Sequence, residues 1–285
     1  MKAAAFDYVK AKNLAEALAL LSEHGEEARL IAGGQTLLAT LNLRLSEPSI
    51  LIDITAVSEL KGISVQGNML RIGALVTHTE IEGSDLIAQH APLLSEAAPH
   101  IAHRAIRNLG TWGGSLAYGD PAAEWPACSL ALDAIMVIQG PGGIRKVSAN
   151  DFFIDLYTTA LQSDEILVAS EIPLASSNQS HSFQELARRH GDYAAAGLAA
   201  VIRKENGKVQ TCRLAFFSVA AIPTMASKAQ ALIEGKSIDA ALIQQAVNLA
   251  REEIETLADI TNSEETKTHF CLLYTSDAAD DMQCV

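Results

Sequence analysis

Apolar residues at helical spacing open the chain. Leu14, Ala17, Leu18 and Leu21 share one face, Asn13 precedes them as a cap with Glu16 three residues on, and Gly25 ends the run. Ala28 to Ala32 then reads as a strand. A glycine-centred loop and an apolar helical turn through Leu37, Leu38 and Leu41 follow, and Ile50 to Ile54 reads as a buried strand. This opening α/β unit takes roughly the first 55 residues. Gly62–Val65 and Met69–Ile72 form a predicted hairpin turning at Gly67-Asn68, and a helical stretch runs from Thr77 to Arg104. Cys128 to Ile138 mixes a helical start with a β-type end, and Asp151–Phe153 and Ile166–Ile172 read as loop-to-strand transitions. The polar, aperiodic segment Ala175-Ser176-Ser177-Asn178-Gln179-Ser180 is a linker candidate. Beyond it the pattern turns to antiparallel β: Leu198–Lys204 and Val209–Val219 flank Asn206-Gly207, a strong hairpin signal. Ser237 or Asp239 then caps a helix with Leu242, Ala246, Leu249 and Ile254 on one face. No repeat of 20–50 residues appears.

Composition narrows the function classes. The 285 residues carry 21 basic and 34 acidic side chains, a formal charge of −13, which argues against nucleic-acid binding. No apolar run approaches the roughly 20 residues needed to span a bilayer, and no apolar stretch follows Lys2 as a secretory signal would require. A cytoplasmic location is expected. Cys128, Cys212, Cys271 and Cys284 form no C-x-x-C pair, so neither an iron–sulfur cluster nor a structural zinc is encoded, and buried thiols in a reducing compartment are expected.

Chemistry concentrates in two glycine loops. The first, Ala32-Gly33-Gly34-Gln35-Thr36, lies between a strand and a helical pattern, where bare backbone N–H groups can approach an anion. It is neither G-x-G-x-x-G nor a P-loop. In the second, Gly110-Thr111-Trp112-Gly113-Gly114-Ser115, three glycines fall within five residues, a density that marks a backbone closely approached by a ligand. Both loops end in a small hydroxyl residue, which suggests two jaws on one diphosphate. Downstream, Asp120 and Glu124 are either carboxylates placed for ribose hydroxyls or exposed turn acids beside prolines. Arg188-Arg189-His190-Gly191-Asp192-Tyr193-Ala194 offers charge balance and an aromatic cover for a planar ring, against a solvated charge pair. His100 and His103, three apart with no acid or thiol ligand nearby, read as surface groups and not metal ligands. No nucleophile–base constellation is legible. No side chain is therefore assigned as catalytic, and any redox chemistry belongs to a cofactor.

Taken together, these segments resemble the flavin-binding subunit of the molybdenum hydroxylases, the family of xanthine dehydrogenase and aerobic carbon monoxide dehydrogenase. The resemblance rests on Ala32 to Leu38, Leu43-Arg44-Leu45, Leu51-Ile52-Asp53-Ile54, Ile72-Gly73-Ala74, Ile106 to Ser115, Glu171-Ile172-Pro173 and Arg188 to Ala194, and covers about residues 1–265. It implies two α+β subdomains gripping FAD in the vanillyl-alcohol oxidase (PCMH) type of fold, then a C-terminal α+β domain with a small antiparallel sheet and helices. The corresponding divisions are 1–57, 58–175 and 180–268. By position it places Ala32, Gly33, Gly34, Gln35 and Thr36, with Thr111, Trp112, Gly113, Gly114 and Ser115, as backbone donors to the FAD diphosphate. Glu124 takes the place of an acid at the adenine-side ribose. Ile101 and Leu167 match apolar lining positions, and Tyr193 an aromatic near the isoalloxazine.

The resemblance further implies a molybdopterin-binding large subunit and a small subunit with two [2Fe–2S] clusters as partners, in a dimer of heterotrimers. Electrons would leave FAD for NAD, quinone or oxygen. Gln184 stands where xanthine dehydrogenases carry a lysine near the flavin, which weakens NAD as the acceptor. Residues 269–285 depart from the family's basic helical ending and read as a non-native tail from read-through or sequence assembly. Two other readings remain open: a stand-alone FAD oxidase of the same fold, and a nucleotide-binding protein with no redox role.

Overall fold

The structure is a computed structural model and describes residues 2–271. Among the described residues, three sheets of three or more strands organise it, beside a two-stranded pair of Phe153–Asp155 with Thr158–Thr159. Asp7–Lys10, Ile50–Asp53 and Ala28–Ile31 form a parallel sheet with Ile50–Asp53 in the middle. Helix Leu14–His24 packs on it, its start capped where Asn13 Oδ1 accepts from Glu16 N–H at 2.9 Å.

An antiparallel sheet of five strands follows, in the order Ile63–Gln66, Met69–Gly73, Ile166–Pro173, Ile135–Gly140 and Gly143–Ser148. The expected helical stretch from Thr77 to Arg104 is a chain of short helices, His78–Glu82, Asp85–His90, Pro92–Ala97 and Arg104–Arg107. Gly83 ends the first, Ser84 caps the second, and Pro92 starts the third because it has no N–H to donate inside a helix. A further helix, Glu124–Ala131, precedes strand Ile135–Gly140, which is the expected helix-to-strand change.

The last sheet is antiparallel, in the order Gln179–Ala187, Ala194–Glu205, Lys208–Phe217 and Thr224–Met225. Its hairpin turns at Asn206 and Gly207, both left-handed (φ 52° and 76°), as the Asn-Gly pair predicts. Along Ala194–Glu205 the side chains alternate. Ala199 and Val201 enter the main core with the five-stranded sheet, while Leu198, Ala200 and Ile202 enter a second core under helices Ser227–Ile233 and Ala240–Glu253. Each large aliphatic side chain buried there contributes roughly 1.5–3 kcal/mol. Asp239 is the cap of the long helix, accepting from Leu242 N–H at 2.7 Å.

The last helix among the described residues covers 264–271 and buries Cys271. From 272 onward the segment read as a non-native tail lies outside the described residues. Among the described residues no helix is long and apolar enough to cross a membrane.

Candidate functional site

The two glycine loops meet. The first leaves the end of strand Ala28–Ile31, and the second opens helix Trp112–Tyr118. A Cβ on Gly33 would fall well inside contact distance of the Leu109 carbonyl oxygen and 2.9 Å from Gly110 Cα; one on Gly114 would come within 3.9 Å of Ala32 Cβ. The requirement for glycine at position 33 therefore comes from loop meeting loop. Gly34 is glycine for a different reason, since its φ of +70° lies in the left-handed region.

Their hydrogen bonding differs. Among the described residues the N–H groups of Gly33, Gly34, Gln35 and Thr36 donate to no protein acceptor, and Thr36 leads helix Leu37–Asn42 with no side-chain cap bond. Four successive undonated amides beside a left-handed residue make a concavity suited to an anion.

In the second loop most amides are already used. Trp112 N–H donates to Val76 O and Gly113 N–H to Ala74 O, both at 2.8 Å; Ser115 N–H donates to Thr111 O at 3.0 Å and Gly114 N–H to Thr111 Oγ1 at 3.2 Å. Thr111 N–H keeps no protein acceptor among the described residues, and Gly114 and Ser115 present accessible surface. Trp112 has no exposed surface, and its indole N–H donates to Ser170 Oγ at 2.9 Å, so it anchors the loop in the core.

The acids lie beyond the second loop. Glu124 starts helix Glu124–Ala131. Burial, then the charges of Glu185 and Asp120, push its carboxyl up to about 8. Burial pushes Glu185 up to about 7; its Oε2 is buried with no hydrogen bond and lies 3.7 Å from His100 Nδ1. Asp120 is raised by burial as well. Glu185 escaped the sequence reading; the available signal was an acid in register with Phe183 on the strand face that meets His100.

Ile101 and Leu167 are buried in the main core. Leu167 sits next to Val168, whose carbonyl accepts from Ala74 N–H beneath the second loop. Tyr193 is 66% exposed, on a loop whose Gly191 abuts the Ala102 carbonyl and His103. His100 and His103 have separate surroundings: His100 tilts against Phe183 at 5.1 Å, and His103 stands at the N-cap position of Arg104–Arg107 with no side-chain cap bond.

The arrangement suits a dianionic group held by amides, with a donor-bearing group near the neutral-prone carboxyls. The comparisons agree. Residues 4–175 match the model of the FAD binding domain in molybdopterin dehydrogenase, and 181–281 that of the CO dehydrogenase flavoprotein C-terminal domain. The chain belongs to this flavoprotein family. It is 36% identical over 263 residues to the carbon monoxide dehydrogenase medium chain of Hydrogenophaga pseudoflava, covering 92% of each chain. It is 35% identical to the caffeine dehydrogenase subunit beta of Pseudomonas sp. strain CBB1, covering 98% of this chain and 95% of that one. The solved structure of the Hydrogenophaga pseudoflava carbon monoxide dehydrogenase lacking the Mo-pyranopterin moiety superposes with a TM-score of 0.97 at 36% identity, over 100% of this chain and 99% of that one. Membership makes this chain the FAD-binding medium subunit of a molybdenum hydroxylase-type oxidoreductase. The free amides and raised carboxyls fit that cofactor's diphosphate and its hydroxyl or N–H donors.

Proposed function

We propose that this flavoprotein subunit takes electrons from [2Fe–2S] clusters on a small partner subunit and hands them to an acceptor, while a molybdopterin-binding large subunit hydroxylates the substrate. The row of undonated amides from Gly33 to Thr36, pressed against the second glycine loop, is the observation that carries this reading. Those amides hold the diphosphate, and Thr111 N–H with the surfaces of Gly114 and Ser115 closes the other side. Glu124 and Glu185 accept from the cofactor's donors. Ile101 and Leu167 back the cleft with apolar surface, and Tyr193 covers the ring. The flavin, when bound, supplies the electron-carrying chemistry; the chain fixes its position and its exposure to water.

The sheets support a division into FAD-binding subdomains 1–57 and 58–175 and a C-terminal domain 180–268. A dimer of heterotrimers in the cytoplasm fits the acidic composition and the buried free thiols of Cys128 and Cys212. The acceptor is NAD, quinone or oxygen, with Gln184 counting against NAD. The test is purification from the native source. A yellow complex that bleaches with dithionite and carries a molybdopterin subunit and a two-cluster subunit at equal stoichiometry is expected. A flavin-bearing chain that oxidises its own substrate without partners would overturn the proposal.

A further inference from the structure

His78 is buried between the second glycine loop and the helix that carries Glu124. It is 6% exposed and begins helix His78–Glu82, whose start is fixed by a capping box between Thr77 and Glu80. Its backbone N–H donates to Gly110 O at 3.0 Å, and Trp112 N–H returns a bond to Val76 O, so segments 76–78 and 110–112 form a short antiparallel bridge. The imidazole reaches both ways from this bridge. On one side, a Cβ on Gly110 would lie 2.6 Å from His78 Nε2 and 2.8 Å from Cδ2, so the ring edge rests on the bare backbone of the loop. On the other, Trp125 Nε1–H donates to His78 Nδ1 at 2.9 Å, with the two rings edge-on at 5.8 Å.

An indole N–H can only donate, so Nδ1 must be the unprotonated nitrogen. Burial, then the positive charge of Arg107, keeps the ring neutral by lowering its pKa to about 4. Gly110 adjoins Thr111, and Trp125 adjoins Glu124. One rigid ring thus spans both ends of the segment 111–124, which holds the second loop and the acid.

We infer that His78 is a positioning residue for FAD, a strut that sets the distance between the second glycine loop and Glu124 without touching the cofactor. This rests on the reading that Thr111–Ser115 and Glu124 face FAD. Cofactor binding spends its affinity on pre-set geometry, so a strut lost inside the protein is read out at the ligand.

The full-length chain, stripped of flavin, is titrated with FAD and followed by flavin fluorescence. Circular dichroism of the bound flavin reports its surroundings. His78→Leu keeps the bulk but leaves Trp125 without an acceptor, and is expected to weaken FAD about tenfold or more, consistent with the cost of one orphaned buried donor. His78→Asn places a carbonyl near the Nδ1 position and is expected to recover most of that loss and the wild-type flavin dichroism. Trp125→Phe, which deletes the donor from the other end, is expected to match His78→Leu and serves as the reading if His78→Leu does not fold. Folded His78→Leu or Trp125→Phe protein with unchanged FAD affinity and dichroism would overturn the strut, as would equal weakening in His78→Asn and His78→Leu. Gly114→Val separates the two levels of the argument: if it leaves FAD binding intact, the placement of the second loop against FAD is at fault, and if it abolishes binding while His78→Leu does not, only the strut falls.

Discussion

At the scale of single residues, the site is governed by what cannot be added. A methyl group on Gly33 has no space against the Leu109 carbonyl and Gly110. Gly33→Ala is therefore expected to push the loops apart, at an overpacking cost of about 1–3 kcal/mol, with a lower melting temperature and a reduced flavin-to-protein ratio on purification. Glu124 offers a second test. Its folded pKa of about 8 lies above the ordinary value of about 4.3 for a free glutamate. Stability from this raised acid is complete below the unfolded value and is lost as pH rises through the folded one. Flavin-free protein should thus lose several degrees of melting temperature between about pH 5 and 8, and Glu124→Gln should flatten that slope. A slope unchanged by the substitution would show that Glu124 is not its source.

Elements bring distant chain segments to the site. The helix spanning 264–271 inserts Lys267, 5% exposed, whose ammonium donates to Ser218 O at 2.7 Å and pairs with Asp259 at 2.9 Å. Ser218 in turn donates its N–H to Pro121 O at 2.7 Å and its hydroxyl to the Ala194 carbonyl. The last helix is thereby tied to the turn before Glu124. Lys267→Met is expected to cost about 1–3 kcal/mol through the abandoned Ser218 carbonyl and Asp259, to speed amide exchange across 256–271, and to loosen FAD measurably. Exchange confined to wild-type rates would refute the coupling.

Much at this scale was legible in the sequence. The Asn13 and Asp239 caps and the Asn206-Gly207 hairpin are local rules that burial does not override. The stretch from Thr77 to Arg104 is helical as read, but its division into short helices is not visible in the apolar period, which persists through Gly83 and Pro92 although both break the hydrogen-bond ladder.

Across the whole molecule, the four-stranded sheet is covered on both faces, by the main core on one side and helices Ser227–Ile233 and Ala240–Glu253 on the other. Helix Leu14–His24 and the parallel sheet share a third core with Val137, Ile166 and Val168 of the five-stranded sheet. Both glycine loops were readable as a pair, but their division of labour was not. Which amides stay free depends on Ala74 and Val76 arriving from the turn after strand Met69–Gly73, and no local pattern announces that. Glu185 and His78 were missed for the same reason: each owes its role to partners across the fold, His100 and Glu124 for one, Gly110 and Trp125 for the other. The abutment of Gly33 on Gly110 also bears on how such a chain can drift. A larger residue at Gly33 needs the Leu109–Gly110 backbone to withdraw, whereas one at Gly110 meets the His78 ring instead, so each glycine is held by a different neighbour. Under selection for a bound flavin, drift at position 33 is therefore limited by the backbone of the second loop, and drift at position 110 by His78.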